Sequence, residues 1–268
     1  MASGERWNRA ELLIVMNVYE KLPFGQFDQN NAVIKDIARQ LNRTPSSVSM
    51  KLCNLASLDP ALKARGRKGL EGASKLDKIV WNEFHNNRET LGPESEEAFR
   101  NLFSAHEGDE VDLVKGTGVR VLRCAASLPP TGPTEQEATV TVRRGQQFFR
   151  QMILNAFDSR CCITGIDVRV LLVASHIKPW GSFPEERLNI ENGLCLSRLH
   201  DAAFDRGLIS FDDDYRLLIG SELRRKLRQP SLELNFGNYA GKRIAIPSDS
   251  LGPNKDFLRY HREKIFHD

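Results

Sequence analysis

Residues 170–207 read VLLVASHIKPWGSFPEERLNIENGLCLSRLHDAAFDRG. Val170 to Ala174 is a short β-branched and apolar run, the pattern of a buried strand, and it delivers Ser175-His176-Ile177 at its end. A loop through Lys178-Pro179-Trp180-Gly181 follows, and Asn189 to Gly193 ends in a turn dipeptide. Leu194-Cys195-Leu196-Ser197 is a second apolar run, and Arg198 to Arg206 reads as a short helix closed by Gly207. Strand with histidine, turn with asparagine, helix with histidine: this order predicts a ββα unit that presents His176, Asn192 and His200.

Working outward, Asp212-Asp213-Asp214 lies between Leu208–Phe211 and Tyr215–Ile219, so a hairpin turn explains it better than a metal cluster. Upstream, Gly145 to Phe157 is an amphipathic helix, with Arg143, Arg144, Gln147 and Arg150 before or on it. Arg144, Arg150 and Lys178 are phosphate-contact candidates, and a solvated face explains them equally. Closer to the N-terminus, Leu12 to Leu22 and Asn31 to Leu41 are amphipathic at helical spacing, and Thr44-Pro45 caps and opens a third helix to about Leu58. That helix buries Val48, Leu52, Leu55 and Leu58 and turns Ser46, Ser47, Ser49, Lys51 and Asn54 outward. Two short helices with a tight turn, the second opening on small hydroxyls, predict a helix-turn-helix reader. A three-helix bundle that touches nothing fits the periodicity as well. The cationic loop holding Arg65, Arg67 and Lys68 favours the reader, because it follows the third helix where phosphate contacts are useful.

The trio and its flanks resemble the HNH nucleases of the ββα-metal, or His-Me finger, superfamily. Cys162-Ile163-Thr164-Gly165, Ser175 to Trp180, and Asn192-Gly193-Leu194 through Phe204-Asp205-Arg206-Gly207 resemble the HNH group found in modification-dependent restriction endonucleases. Arg43 to Val48 and Lys51 to Pro60 are similar to the DNA-reading domain that accompanies such modules. The resemblance implies an α+β chain, a helical reader followed by a ββα-metal domain, that cleaves double-stranded DNA in restriction and selects modified cytosine. It implies His176 as the base, Asn192 as the group that fixes the ring's tautomer and direction, and His200 as a metal ligand. Phosphodiester hydrolysis needs such a base and a cation that neutralises charge on the phosphate and the leaving 3′-oxygen. Mg2+ or Mn2+ is expected, with Co2+ or Ni2+ as further options. The pattern departs at two positions. Ser175 stands, as a poor substitute, where Asp or His commonly adds a ligand, and Phe204 stands where the helical partner is expected, so Asp205, in preference to Asp201, is expected to complete the shell with His200 and Ser175.

Cys162 is followed by Gly165 and Cys195 by Arg198, so neither Cys-x-x-Cys pair is complete; no structural zinc is expected, and Cys161, Cys162 and Cys195 are assigned to packing. Five cysteines, an odd number with two adjacent, fit reduced thiols, and no apolar run reaches the roughly 20 residues of a membrane helix, so a cytoplasmic protein is expected. The 268 residues predict about two domains. Net charge divides as +5 over residues 1–88, −6 over 89–137 and +4 over 138–268. These bounds define a helical reader, an acidic connector with Leu128 to Thr134 as its clearest linker, and the nuclease domain. Cutting two strands with one site per chain motivates a homodimer. Two rivals stay open. One is a DNA-binding regulator with a degenerate ββα unit, motivated by Ser175 and Phe204. The other is a structural bundle whose basic blocks are incidental.

Overall fold

The computed structural model describes residues 6–106, 109–123 and 133–268, and the chain divides into two compact units, Met1–Met152 and Ile153–Asp268. The first opens with α1 (Arg9–Lys21), where Asn8 and Glu11 form a capping box. Nearly every side chain from Leu12 to Tyr19 is buried, so α1 is apolar all round and forms the centre of its unit. Helices α2 (Ala32–Gln40) and α3 (Pro45–Ala56) follow as expected, with Thr44 capping Ser47 and Pro45 at the first helical position. The turn between them passes through Asn42 at a φ of 52°, a left-handed conformation that asparagine tolerates better than most residues.

The third helix buries the expected stripe and more of its circumference besides. Val48, Leu52 and Leu55 are fully buried, but so are most of Lys51 and Asn54. Lys51 lies three residues from Val48 and four from Leu55, on the buried stripe, and its Nζ bonds both oxygens of the buried Asp77 at 2.9 and 3.0 Å. Ser49 donates to the Phe27 carbonyl at 2.7 Å. Lys51 is therefore a structural cation. Lys51→Ala leaves Asp77 buried without its counter-charge and is expected to lower unfolding stability by about 3–5 kcal/mol. A urea midpoint equal to wild type contradicts this placement.

The described residues of the acidic segment up to 123 are a packed part of the first unit. After α4 (Pro60–Ala64) and α5 (Lys75–Asn86), residues assigned to a connector form α6 (Arg88–Leu102) and an antiparallel hairpin, β1 (Glu110–Val114) with β2 (Gly118–Leu122). Helix α6 meets α1 through polar groups: Asn17 Nδ2 donates to Ser95 Oγ at 3.1 Å and to Glu96 at 3.0 Å, and buried Lys21 pairs with Glu96. The hairpin docks on α2, where Asp36 accepts the Val119 N–H at 3.0 Å. A Cβ on Gly118, whose φ is 110°, would stand 2.2 Å from that carboxylate. Leu128 to Gly132 of the expected linker, and Cys124, lie outside the described residues.

Helix α7 (Pro133–Ala156) contains the helix read from Gly145 onward, and the division between units falls within it, later than the expected boundary at 138. In the second unit, β3 (Leu172–His176) pairs antiparallel with β4 (Gly193–Ser197), and α8 (Arg198–Asp205) packs on both. A second hairpin, β5 (Ile209–Phe211) with β6 (Leu217–Ile219), is followed by α9 (Ser221–Lys226), α10 (Pro230–Asn235) and α11 (Lys255–Lys264). Asp212 caps the turn of this hairpin, accepting the N–H groups of Asp214 and Arg216. Val170 and Leu171 fall in a one-turn 3-10 helix before β3 and are exposed, so the strand starts two residues later than the apolar run implied. Among the described residues no helix is long and apolar enough to cross a membrane.

Candidate active site

Antiparallel pairing sets His176 opposite Gly193 and Ser175 opposite Leu194, which brings the end of β3 to the start of β4. Asn192, wholly buried, fills the gap between them. Its Oδ1 accepts the Lys178 N–H at 2.8 Å, and its Nδ2 donates to the carbonyls of Lys178 at 3.2 Å and Glu186 at 3.1 Å. Its own carbonyl accepts the Ile177 N–H at 3.0 Å. The side chain thus locks the loop that leaves His176. The direct contact with the His176 ring expected from the resemblance is replaced by these backbone bonds.

His176 takes its orientation from a backbone group. Its Nε2 lies 2.9 Å from the Arg187 carbonyl, and Trp180 meets the ring edge-on at 5.2 Å. A carbonyl oxygen only accepts, so Nε2 carries the proton and the basic lone pair sits on Nδ1. Burial lowers the pKa of the ring to about 4, against a smaller upward pull from the Arg187 carbonyl, so the imidazole is neutral near pH 7. A neutral ring with a fixed tautomer has the form required of a general base.

His200 is placed differently. Its ring is fully buried against Phe236, Nε2 donates to the Asn235 carbonyl at 2.8 Å, and Nδ1 accepts from Ser197 Oγ at 2.7 Å. Both nitrogens are engaged in this structure, so the expected ligand role would require one of these bonds to be given up. His200, Ala203 and Phe204 form the inward stripe of α8, and Phe204 is core as its chemistry requires.

The acidic face of the same helix carries Asp201 and Asp205, one turn apart. Burial raises both pKa values, and the Asp201 charge raises that of Asp205 further. Ser175, beneath them on β3, is 2% exposed, and its Oγ has no partner in hydrogen-bonding geometry, although it sits near enough to favour the charged form of Asp201. Among the described residues no three His, Cys, Asp or Glu side chains converge as a metal cluster. Two carboxylates are nonetheless a sufficient protein share for Mg2+, which keeps several waters and takes further oxygens from substrate phosphate. The donors are hard oxygens throughout, and the buried Ser175 hydroxyl lies near Asp201. The residues fit a divalent cation.

Other expected contacts are engaged within the protein. Arg43 forms a bidentate pair with Glu11 at 2.9–3.0 Å and stacks on Trp7 at 4.5 Å. Arg144 is buried against Glu97, and Arg150 lies 3.8 Å from Glu110. Lys178 Nζ sits in an aromatic box, 4.3 Å from Phe257 and 4.8 Å from Phe183. Ser46, Arg65 and Lys68 remain exposed, while Arg67 is half-buried, 5.9 Å from the Phe24 ring. Cys161, Cys162 and Cys195 are buried free thiols, and burial pushes that of Cys162 well above its usual range. The Arg187 carbonyl, which orients the base, had no sequence signal, because a backbone acceptor is independent of residue type.

The antiparallel pair β3–β4, with α8 packed on both, forms a ββα unit that carries His176 on its first strand and Asp201 and Asp205 on its helix. Residues 161–212, about a fifth of the chain, match the HNH endonuclease family. The matched segment runs from Cys161 through β3, β4 and α8 to the turn after β5, so the second unit contains an HNH endonuclease domain, which supports a nuclease acting on DNA. HNH nucleases generally use a divalent metal ion. No curated protein matches the chain.

The buried histidines set a pH response. Burial holds His261 at about 4, with its Nδ1 2.9 Å from Ser210 Oγ and its face stacked on Phe204 at 3.7 Å, and it also lowers His176 and His200. Each folded pKa lies below the unfolded value, so the unfolded chain binds more protons between about pH 4 and 6.5, and stability falls as pH drops through that window. For His261 alone the full effect is about 3 kcal/mol. Melting followed from pH 7 to 4.5 should show proton uptake on unfolding, with a shallower decline in His261→Gln. An equal decline in both contradicts the assignment.

Proposed function

We propose that this protein is a metal-dependent endonuclease that hydrolyses phosphodiesters of double-stranded DNA. The observation that supports this reading is the i, i+4 carboxylate pair of α8, with buried Ser175 near Asp201, in the same ββα unit as a histidine whose protonated nitrogen is fixed by the Arg187 carbonyl. Asp201 and Asp205 would hold the cation, with Ser175 bonding a water in its shell. Mg2+ or Mn2+ suits these oxygen donors, and Co2+ or Ni2+ are further options. When bound, the cation supplies neutralisation of charge on the scissile phosphate and the departing 3′-oxygen. His176 Nδ1 takes the proton of the attacking water, the Arg187 carbonyl keeps the ring aimed, and Asn192 keeps the loop closed behind it.

The biological setting we propose is restriction of foreign DNA, with selection of modified cytosine by the first unit. Support there comes from the exposed start of α3 at Ser46 and the cationic loop of Arg65, Arg67 and Lys68, which folds back on α3 through the Leu70 N–H to Cys53 carbonyl bond at 3.0 Å. Two such chains on one duplex would cut both strands; a scattering mass that stays near 30.3 kDa on DNA counts against pairing. The competing reading, a DNA-binding regulator with an inactive HNH unit, draws on the absence of a three-ligand cluster among the described residues. Supercoiled plasmid with and without cytosine modification, incubated with Mg2+, Mn2+, Co2+ and Ni2+, separates the two. Cutting of the modified plasmid alone is expected. Equal cutting of both removes the selectivity, and binding without cutting in every metal favours the regulator.

A further inference from the structure

The turn between β5 and β6 and the segment before α11 enclose a hollow of about 220 Å³ lined by Asp213, Asp214, Tyr215, Arg216, Arg243 and Lys255. Arg216 and Arg243 are brought side by side by an antiparallel bridge, and Lys255 opens α11. All three are exposed, and none makes an ion pair among the described residues. Of the two carboxylates, Asp213 is taken by Arg262 at 2.5 Å, so three cations face Asp214. Glu191 also lies near, and Arg243 and Glu191 pull the Tyr215 phenol in opposite directions.

Tyr215 is the unusual member. It occupies the turn at a φ of 61°, where glycine or asparagine is unstrained, so its side chain is retained against a local backbone penalty. That side chain organises the hollow. Its hydroxyl donates to the Pro253 carbonyl at 3.0 Å, and its ring has Lys255 Nζ at 5.5 Å and the Arg243 guanidinium at 5.9 Å. The hollow also connects to the catalytic hairpin: the Glu191 carbonyl, next to Asn192, accepts the Asn254 N–H, next to Lys255, at 2.9 Å.

We propose that this hollow is a phosphodiester subsite, in which Arg216, Arg243 and Lys255 grip the DNA backbone away from the bond that is cut. Two exposed guanidinium groups and an ammonium around a fixed aromatic ring outnumber Asp214, the one lining carboxylate that Arg262 does not take, and are the chemistry that receives a phosphate. The proposal rests on the DNA-cleaving reading above, since it takes the bound phosphate to belong to the duplex that reaches His176.

The test is binding of a fluorescent duplex to the full chain in chelator, across salt from 50 to 200 mM, for wild type and Arg216→Ala/Arg243→Ala/Lys255→Ala. Each lost phosphate contact flattens the slope of log K against log salt by about 0.9, so over this range wild type should lose about 40-fold more affinity than the triple variant. Arg216→Lys/Arg243→Lys should retain most of the wild-type slope, and the alanine variant should melt with wild type because its changed side chains are exposed. Equal slopes overturn the subsite while leaving nuclease activity standing. Failure of wild type to bind duplex overturns the DNA-cleaving reading with it. Saturable binding of inorganic phosphate that the alanine variant loses, together with unchanged DNA slopes, assigns the hollow to a free anion and also overturns the proposal.

Discussion

His176→Ala slows DNA nicking by about 10²–10⁴-fold, the usual contribution of a positioned general base, and leaves duplex affinity near wild type. The ring also bonds the Arg187 carbonyl and packs on Trp180, so the variant's melting temperature is compared with wild type to separate lost chemistry from lost packing. The pH profile gives the loss its signature. The base acts when neutral, and burial sets its titration near 4, so wild-type kcat/KM should stay level from neutral pH downward and fall only as pH approaches 4. A limb near 6.5 would mean that the acting histidine is solvated and is not this one. Cleavage by His176→Ala at the wild-type rate removes it from the chemistry outright.

Asp201→Asn with Asp205→Asn removes activity by about 10³-fold, since it withdraws the carboxylates that would hold the cation and its several kcal/mol of charge stabilisation. Neutralising this pair also relieves repulsion and desolvation within it, so the fold should be as stable as wild type or more so. His200→Ala gives the opposite pattern. It leaves Ser197 and the Asn235 carbonyl without their ring partners and opens a void beside Phe236, which predicts a loss of stability with Mn2+ binding retained. Calorimetric Mn2+ titration of these variants in the presence of uncut duplex checks both. If His200→Ala loses the metal and the aspartate variant keeps it, the carboxylate site is wrong.

The ββα unit was legible in the sequence because strand, Asn-Gly and helix each carry a local signal, and the short runs match their elements within about two residues. The ligand set was harder to read. Spacing already put His200 on the stripe of Ala203 and Phe204, and put Asp201 and Asp205 together on another, yet a histidine on that helix carries a stronger chemical prior than its phase. The same substitution of residue type for phase misplaced Lys51, which shares its stripe with Val48 and Leu55. The acidic connector failed for a different reason. Helix α6 buries Ser95, Glu96 and Arg100, and such a face leaves no apolar periodicity because its partners, Asn17 and Lys21 among them, lie far away in sequence. Backbone acceptors such as the Arg187 carbonyl leave no trace in composition at all.

The central claim is that two helical carboxylates hold a divalent cation beside a neutral imidazole and that this pair cuts DNA. Supercoiled plasmid incubated with wild-type protein, in Mn2+ or Mg2+ and in parallel with chelator, tests it most directly. Nicked and then linear product with metal, and none with chelator, is the result predicted; plasmid that stays closed in every metal, or is cut equally in chelator, contradicts it.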